Sequence, residues 1–198
     1  MLSVIILAAG ISSRMGDENK LLLPFQGKTV LRHTLESICA AGFDELILVT
    51  GYEQEKIRSQ ARGLNLIIVH NPEFISGMTG SIQRGVAVAT GSGYMICLAD
   101  MVNLRPGDYR LLRDNFELQW QSDKACITIP VVKNQRGNPV IFSSLHRQAI
   151  LDNRDPEGCR SVLRANPQCC HFVEMESAIL FEDMDTPEDF SRLSNGEV

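Results

Sequence analysis

The chain reads as an α/β protein: a single Rossmann-like domain spanning residues 1–198, with a mostly parallel sheet and helices on both faces. Three observations carry this expectation. Short aliphatic and β-branched runs recur without the polar alternation of a half-exposed strand, which is the signature of strands covered on both faces. Segments with apolar residues at helical spacing stand between them. No linker, repeat or low-complexity stretch divides the chain. Alternation of this kind implies helices joined to the strands by right-handed crossovers.

Each element follows from local pattern. Residues 3–9 form the first buried strand, and a Gly/Ser loop follows. Leu31, Leu35 and Ile38 make a helical stripe over 29–41, closed by Gly42. Residues 45–51 repeat the strand pattern, 53–62 read as a short charged helix, and 65–70 as a third strand. A helix over 81–89 follows a Gly-rich turn, then a fourth strand over 94–99. The second half is less regular, with a helix at 106–120 and strands at 125–132 and 138–142, where Pro139 suggests a sheet edge or a strand start. A short helix at 158–165, strands at 170–174 and 178–181, and a closing helix at 186–193 complete the expectation, with Thr186 as N-cap and Pro187 at the first helical position.

Composition narrows the function. The 198 residues carry 19 Lys and Arg against 24 Asp and Glu, a formal net charge of −5. An acidic chain without a Lys/Arg block is a poor match for nucleic acid. At 44% apolar and 22% charged residues, disorder, collagen and coiled coil are excluded. A chain of this length hides roughly 70% of its unfolded surface, so it needs neither disulfides nor a structural metal. The six cysteines are irregularly spaced and contain no CxxC pair, and Cys39, Cys97 and Cys126 lie in apolar runs. That usage reads as core thiols in a reducing, cytoplasmic compartment. The apolar opening at 4–9 lacks a preceding positive charge and is too short for a signal peptide, and no run reaches the roughly 20 residues of a membrane span. Small-molecule chemistry is the expectation left.

The strongest chemical signal is the first strand-to-helix loop, Leu7-Ala8-Ala9-Gly10-Ile11-Ser12-Ser13-Arg14-Met15-Gly16, followed by Lys20. Ligands of open α/β sheets bind beyond the carboxyl ends of strands, where this loop begins. Gly10 and Gly16 allow close backbone approach and an anion nest; Ser12 and Ser13 add hydroxyls; Arg14 and Lys20 add the charges a polyphosphate needs. The set suits a nucleoside triphosphate, and both cations are expected to be exposed. Neither G-x-x-x-x-G-K-[ST] nor a dinucleotide G-x-G-x-x-G stands at this turn. Asp100 ends the fourth apolar run, so its carboxylate is expected at the same sheet edge, where Mg²⁺ needs only one or two carboxylates plus phosphate oxygens. The bland alternatives are a turn-capping Asp100, and Thr79 or Ser81 as a plain N-cap. None of His33, His70, His146 and His171 joins a catalytic constellation by spacing.

The string L-A-A-G-x-S-S-R-M-G-x-x-x-K-L-L-L-P resembles the signature of the MobA-like nucleotidyltransferases, most of all the molybdenum cofactor cytidylyltransferase branch. Further matching elements follow in order: Gly77-Met78-Thr79-Gly80-Ser81, Leu98-Ala99-Asp100-Met101, Gly137-Asn138-Pro139-Val140 and Asp183-Met184-Asp185-Thr186-Pro187-Glu188-Asp189. The resemblance covers nearly the whole chain and implies a fold of the nucleotide-diphospho-sugar transferase type. It also implies roles. Arg14 would bind the β- and γ-phosphates, and Lys20 the α-phosphate and developing charge. The backbone of Ala8, Ala9 and Gly10 would lie near the base. Ser12, Ser13, Thr79, Gly80, Ser81 and Asn138 would contact substrate. Asp100 would hold Mg²⁺, with Asp185 as second metal or substrate-side carboxylate, although the acidic run around Asp185 equally suits a helix start. Ala-Ala-Gly resembles the cytidine-using members, so Ala9 favours CTP.

Two elements depart from the family pattern. Val102 follows Leu-Ala-Asp-Met where proline is usual, and Asp155-Pro156-Glu157-Gly158-Cys159-Arg160 stands for a Gly-Asp-x-Gly-Ala-Arg element, keeping Gly158 and Arg160. The expected function is therefore Mg²⁺-dependent transfer of a nucleoside monophosphate, CMP favoured, to a phosphate-bearing acceptor such as molybdopterin cofactor, with release of pyrophosphate and docking to a molybdoenzyme. The alternatives are a sugar- or alditol-phosphate nucleotidyltransferase and a non-catalytic nucleotide-binding chaperone. No membrane or nucleic-acid partner is expected.

Overall fold

The computed structural model describes residues 1–12 and 18–176; the strand expected at 178–181, the helix at 186–193, and Ser13, Arg14 and Asp185 lie outside them. In chain order the elements are β1 (Leu2–Ala8), β2 (Pro24–Phe25), β3 (Lys28–Thr29), α1 (Val30–Ala40), β4 (Glu45–Thr50), α2 (Gln54–Gln60), β5 (Ile67–His70) and α3 (Met78–Val88). There follow β6 (Gly93–Leu98), α4 (Pro106–Ser122), β7 (Ile127–Val132), β8 (Gln135–Arg136), β9 (Val140–Ser143), α5 (Arg147–Leu151), α6 (Arg160–Ala165) and β10 (Cys170–Glu174).

The sheet runs β10-β7-β9-β6-β1-β4-β5, with β8 appended to β7. β1, β4, β5 and β6 are mutually parallel, and β9 is antiparallel to both of its neighbours. After β5 the chain returns across β1 to lay down β6, so the winding reverses between β1 and β6. Their carboxyl ends diverge at that switch point into a crevice.

Alternation along β1 builds both cores. Leu2, Val4, Ile6 and Ala8 pack with Leu31, Leu35 and Ile38 of α1 and with Tyr109, Leu112 and Phe116 of α4. Ile5 faces the other way, joining Ile47, Val49, Ile82, Val86 and Ile150. β4 and β7 are buried along their whole length, as their unbroken apolar runs predict. β5 and β10 are the two ends of this strand order, and Ile67 and Ile68 of β5 are exposed there. Pro139 immediately precedes β9, an interior strand, so it marks a strand start rather than an edge.

α3 begins at Met78, three residues earlier than expected, because Gly77 takes the N-cap position at φ 111°, a conformation costly to any residue with a Cβ. No side chain caps it, which removes the plain N-cap reading of Thr79 and Ser81. The six cysteines are free. Burial pushes the Cys159 thiol up to about 12 and the Cys126 thiol up to about 11, so both stay protonated at neutral pH and serve packing. No helix among the described residues is long and apolar enough to cross a membrane.

Candidate active site

Register sets the site. Leu7 of β1 pairs with Leu98 of β6, and the Ala99 amide donates to the Leu7 carbonyl at 3.2 Å, so the segments after the two strands leave the sheet side by side. One carries Ala9, Gly10, Ile11 and Ser12, and the other carries Asp100. Lys20 stands at the head of a 3₁₀ turn capped by Asn19, whose Oδ1 accepts from the Leu21 amide at 3.1 Å. The Lys20 amide in turn donates to Ser12 Oγ at 3.3 Å, bringing the two ends of the loop together.

This geometry places Lys20 Nζ 2.5 Å from Asp100 Oδ2. The side chains are only 18% and 10% exposed, so water screens the pair poorly and removal of Lys20 takes the counter-charge from the Asp100 carboxylate. The expectation of an exposed Lys20 is thus corrected: the lysine leans into the crevice. Asp100 does not cap the following helix either, since α4 is capped by Arg105 with Asp108 accepting from the Arg105 amide at 2.8 Å.

A cleft of about 680 Å³ opens over the pair. Leu7, Leu98, Ala99 and Asp100 line it from the strand ends, and Ala9, Gly10, Ile11, Ser12, Lys20 and Leu21 line it from the first loop and the turn after it. Phe74, Gly77, Met78, Ser81, Asn138 and Arg160 complete the lining. Such a volume lies in the ordinary range for a small-molecule site. The Ala9 carbonyl accepts from the Tyr52 amide at 3.2 Å, and a Cβ on Gly51 would stand 2.7 Å from that carbonyl and 2.7 Å from Phe74 Cβ. Glycine at 51 is therefore what lets Ala9 and Phe74 approach.

Of the substrate contacts expected from sequence, Ala9, Gly10, Ser12, Ser81 and Asn138 line the cleft. Ala8, Thr79 and Gly80 do not. Ala8 is buried in the core on the α1 face, by the alternation that aims its neighbours at the cleft. The Thr79 hydroxyl donates to the Asp155 carbonyl and accepts from the Gly158 amide at 3.0 Å, so it fastens a loop instead. Ser81 keeps a lining position while its Oγ accepts from Asn71 Nδ2 at 3.0 Å.

Phe74 was not singled out by sequence, and Met78 and Leu98 only as members of matching strings with no site role, because an apolar residue that lines a cleft carries the same local pattern as one that fills a core. His146 is held by the Ala125 carbonyl at 2.7 Å and His171 by Asp123 at 3.1 Å, away from the cleft. Among the described residues no group of three or more His, Cys, Asp or Glu gathers to hold a metal. A single hard carboxylate such as Asp100 still fits Mg²⁺, which draws its remaining ligands from phosphate and water.

A crevice at a sheet's switch point, with a lysine and an aspartate meeting in it, suits the binding of a nucleotide, and the family match makes the class that of the nucleotidyltransferases. The chain belongs to the MobA-like NTP transferase domain family, whose model matches residues 4–170. It is 28% identical over 188 residues to the molybdenum cofactor cytidylyltransferase of Escherichia coli, covering 94% of this chain and 92% of that one. Nicotine blue oxidoreductase of Paenarthrobacter nicotinovorans is 27% identical over 192 residues, covering 96% and 94%. Among solved structures, a nucleotidyl transferase from Methanothermobacter superposes with a TM-score of 0.86 at 22% identity, over 99% of this chain and 97% of the other. A Mycobacterium tuberculosis protein solved in complex with manganese superposes at 0.76 with 23% identity, over 98% of both chains. These two structures support the fold.

Proposed function

We propose that the chain transfers CMP from CTP to a phosphate-bearing acceptor of the molybdopterin cofactor type, with Mg²⁺ and release of pyrophosphate. The observation that carries this reading is the Lys20–Asp100 pair at the switch point, a cation and a hard carboxylate facing one cleft. The similarity to a cytidylyltransferase over nearly the full length of both chains supports it.

In this reading an oxygen of the acceptor phosphate forms a bond to the α-phosphorus. The bond from that phosphorus to the bridging oxygen breaks, and its electrons leave with pyrophosphate. Lys20 exchanges its hold on Asp100 for the α-phosphate and balances the charge that spreads there, while Arg14 holds the β- and γ-phosphates. The backbone at Ala9 and Gly10 borders the base, where the Ala9 methyl narrows the pocket in favour of cytosine. Asp100 already faces a cation, so its carboxylate fits Mg²⁺, with Asp185 as second carboxylate. Mg²⁺ bound with the triphosphate would neutralise phosphate charge. Catalysis by position and electrostatics of this kind needs no protein nucleophile. Six free thiols suit a reducing, cytoplasmic setting, and docking to a molybdoenzyme would deliver the product.

The test is a thermal-shift panel of CTP, GTP, ATP and UTP with Mg²⁺, followed by pyrophosphate release with molybdopterin cofactor as acceptor. The largest shift is expected with CTP, and pyrophosphate only when acceptor is present. A larger shift with GTP, or pyrophosphate released only with sugar or alditol phosphates, would replace this reading.

A further inference from the structure

The charged residues lining the described cleft are Lys20, Asp100 and Arg160. The first two hold each other. Arg160 enters from the other end of the chain, at the start of α6, and its partner is Glu157 at 2.7 Å. Both side chains of that pair are well exposed, at 69% and 63%. An ion pair so open to water contributes little to stability, so an incoming anion displaces Glu157 at small cost. The guanidinium, by contrast, offers a planar fork suited to two oxygens of one phosphate.

The loop before Arg160 is fastened with a care that an incidental surface arginine does not need. Thr79 bonds to it at both the Asp155 carbonyl and the Gly158 amide. Asn153 closes it from within, donating through Nδ2 to the Gly158 carbonyl at 2.6 Å and accepting through Oδ1 from the Asp155 amide at 3.0 Å. Gly158, at φ 82°, lies against α3, where a Cβ would stand 3.3 Å from the sulfur of Met78. The loop is thereby fixed to the same helix whose first turn lines the cleft.

We infer that Arg160 is the specificity-determining anchor for the acceptor's phosphate, with Glu157 as the counter-charge that the acceptor displaces. This deepens the transferase reading of the cleft and rests on it. The acceptor class it selects is a phosphate monoester whose phosphate meets Arg160 on an element separate from the first loop, which is left to the donor triphosphate.

Inorganic phosphate serves as the probe, titrated by calorimetry into the full-length protein, both alone and saturated with CTP and Mg²⁺. CTP binding is measured separately. Arg160→Ala is expected to weaken phosphate by about ten-fold while CTP affinity stays within about two-fold, since one charge-assisted bidentate contact is lost and the donor contacts remain. Glu157→Gln should tighten phosphate by about two- to five-fold by removing the competing carboxylate. Because the Arg160 side chain is exposed, the variant should fold as the wild type does. Phosphate binding unchanged in Arg160→Ala, or a parallel loss of CTP affinity, would overturn the inference, as would a wild type that binds no phosphate. If instead CTP fails to bind the wild type, the transferase reading falls, and the titration without nucleotide still decides the role of Arg160.

Discussion

Lys20 and Asp100 are 80 residues apart in sequence and 2.5 Å apart in space, and neither is fully solvated. Their contact makes each a condition for the other's placement. Asp100→Asn keeps the shape of the side chain and removes the charge, so turnover should fall by about 100-fold or more, as when a single preorganised electrostatic contact is lost. Excess Mg²⁺, or Mn²⁺, should restore part of it, and Asp185→Asn should be the milder change. Full activity of Asp100→Asn at low Mg²⁺ would move the metal site elsewhere. Lys20→Ala leaves the Asp100 carboxylate half-stranded, and a loss of about 1–3 kcal/mol is expected by urea unfolding together with the loss of activity. Arg14→Ala should lower triphosphate affinity by about 1.5–3 kcal/mol in a nucleotide titration.

The connection between β4 and α2 has a different kind of influence on the cleft. Gly51 passes so close to Ala9 and Phe74 that any Cβ collides with backbone on one side and a ring-bearing residue on the other. Gly51→Ala must push the first loop away from the turn at Phe74–Ser76, and it should cost about 1–3 kcal/mol as an overpacked contact. The diagnostic reading is kinetic: KM for the nucleotide should rise even at temperatures where the variant is fully folded. The turn chemistry of the motif Gly77-Met78-Thr79-Gly80-Ser81 likewise depended on its neighbours. Its hydroxyls and glycines suggest ligand contacts when read alone, yet Thr79 is engaged by a loop 76 residues further on.

The acid stability of the molecule has a focus at the amino ends of the strands, away from the cleft at their carboxyl ends. Glu45 opens β4 and is nearly buried. Burial alone would raise its carboxyl, but donation from Ser3 Oγ and from the amide and hydroxyl of Thr90, at 3.0 and 2.7 Å, together with the Gly91 amide, holds it below the ordinary value of 4.5. These bonds tie β4, β1 and the approach to β6, so their loss is felt across the three central strands. A carboxyl depressed in the folded state contributes its full stability above its unfolded value, and loses it as pH falls through the folded one. Glu45→Gln should therefore be less stable than wild type by about 1–3 kcal/mol at pH 7, and the gap should close progressively below pH 4.5. Urea unfolding at a series of pH values measures this, and a gap that stayed constant to low pH would contradict it.

Periodicity and loop chemistry were readable because they are short-range. The strands at 45–50, 93–98 and 127–132 show themselves as apolar runs covered on both faces, and the loop after β1 shows its glycines, hydroxyls and cations within a dozen residues. The β2–β3 hairpin went unseen, since two strands of two residues each are too short to display a period. Which residues meet across the cleft was decided by strand order: β6 lies beside β1 rather than beyond β5, which brings Asp100 to Lys20. The same packing turned Ala8 into the core and bound Thr79 to a distant loop, and it carried Arg160 to the cleft wall. The physical reason is one of range. Side-chain period and turn preference are set by a few neighbouring residues, whereas the meeting of groups remote in sequence exists only once two hydrophobic faces have been buried on one sheet.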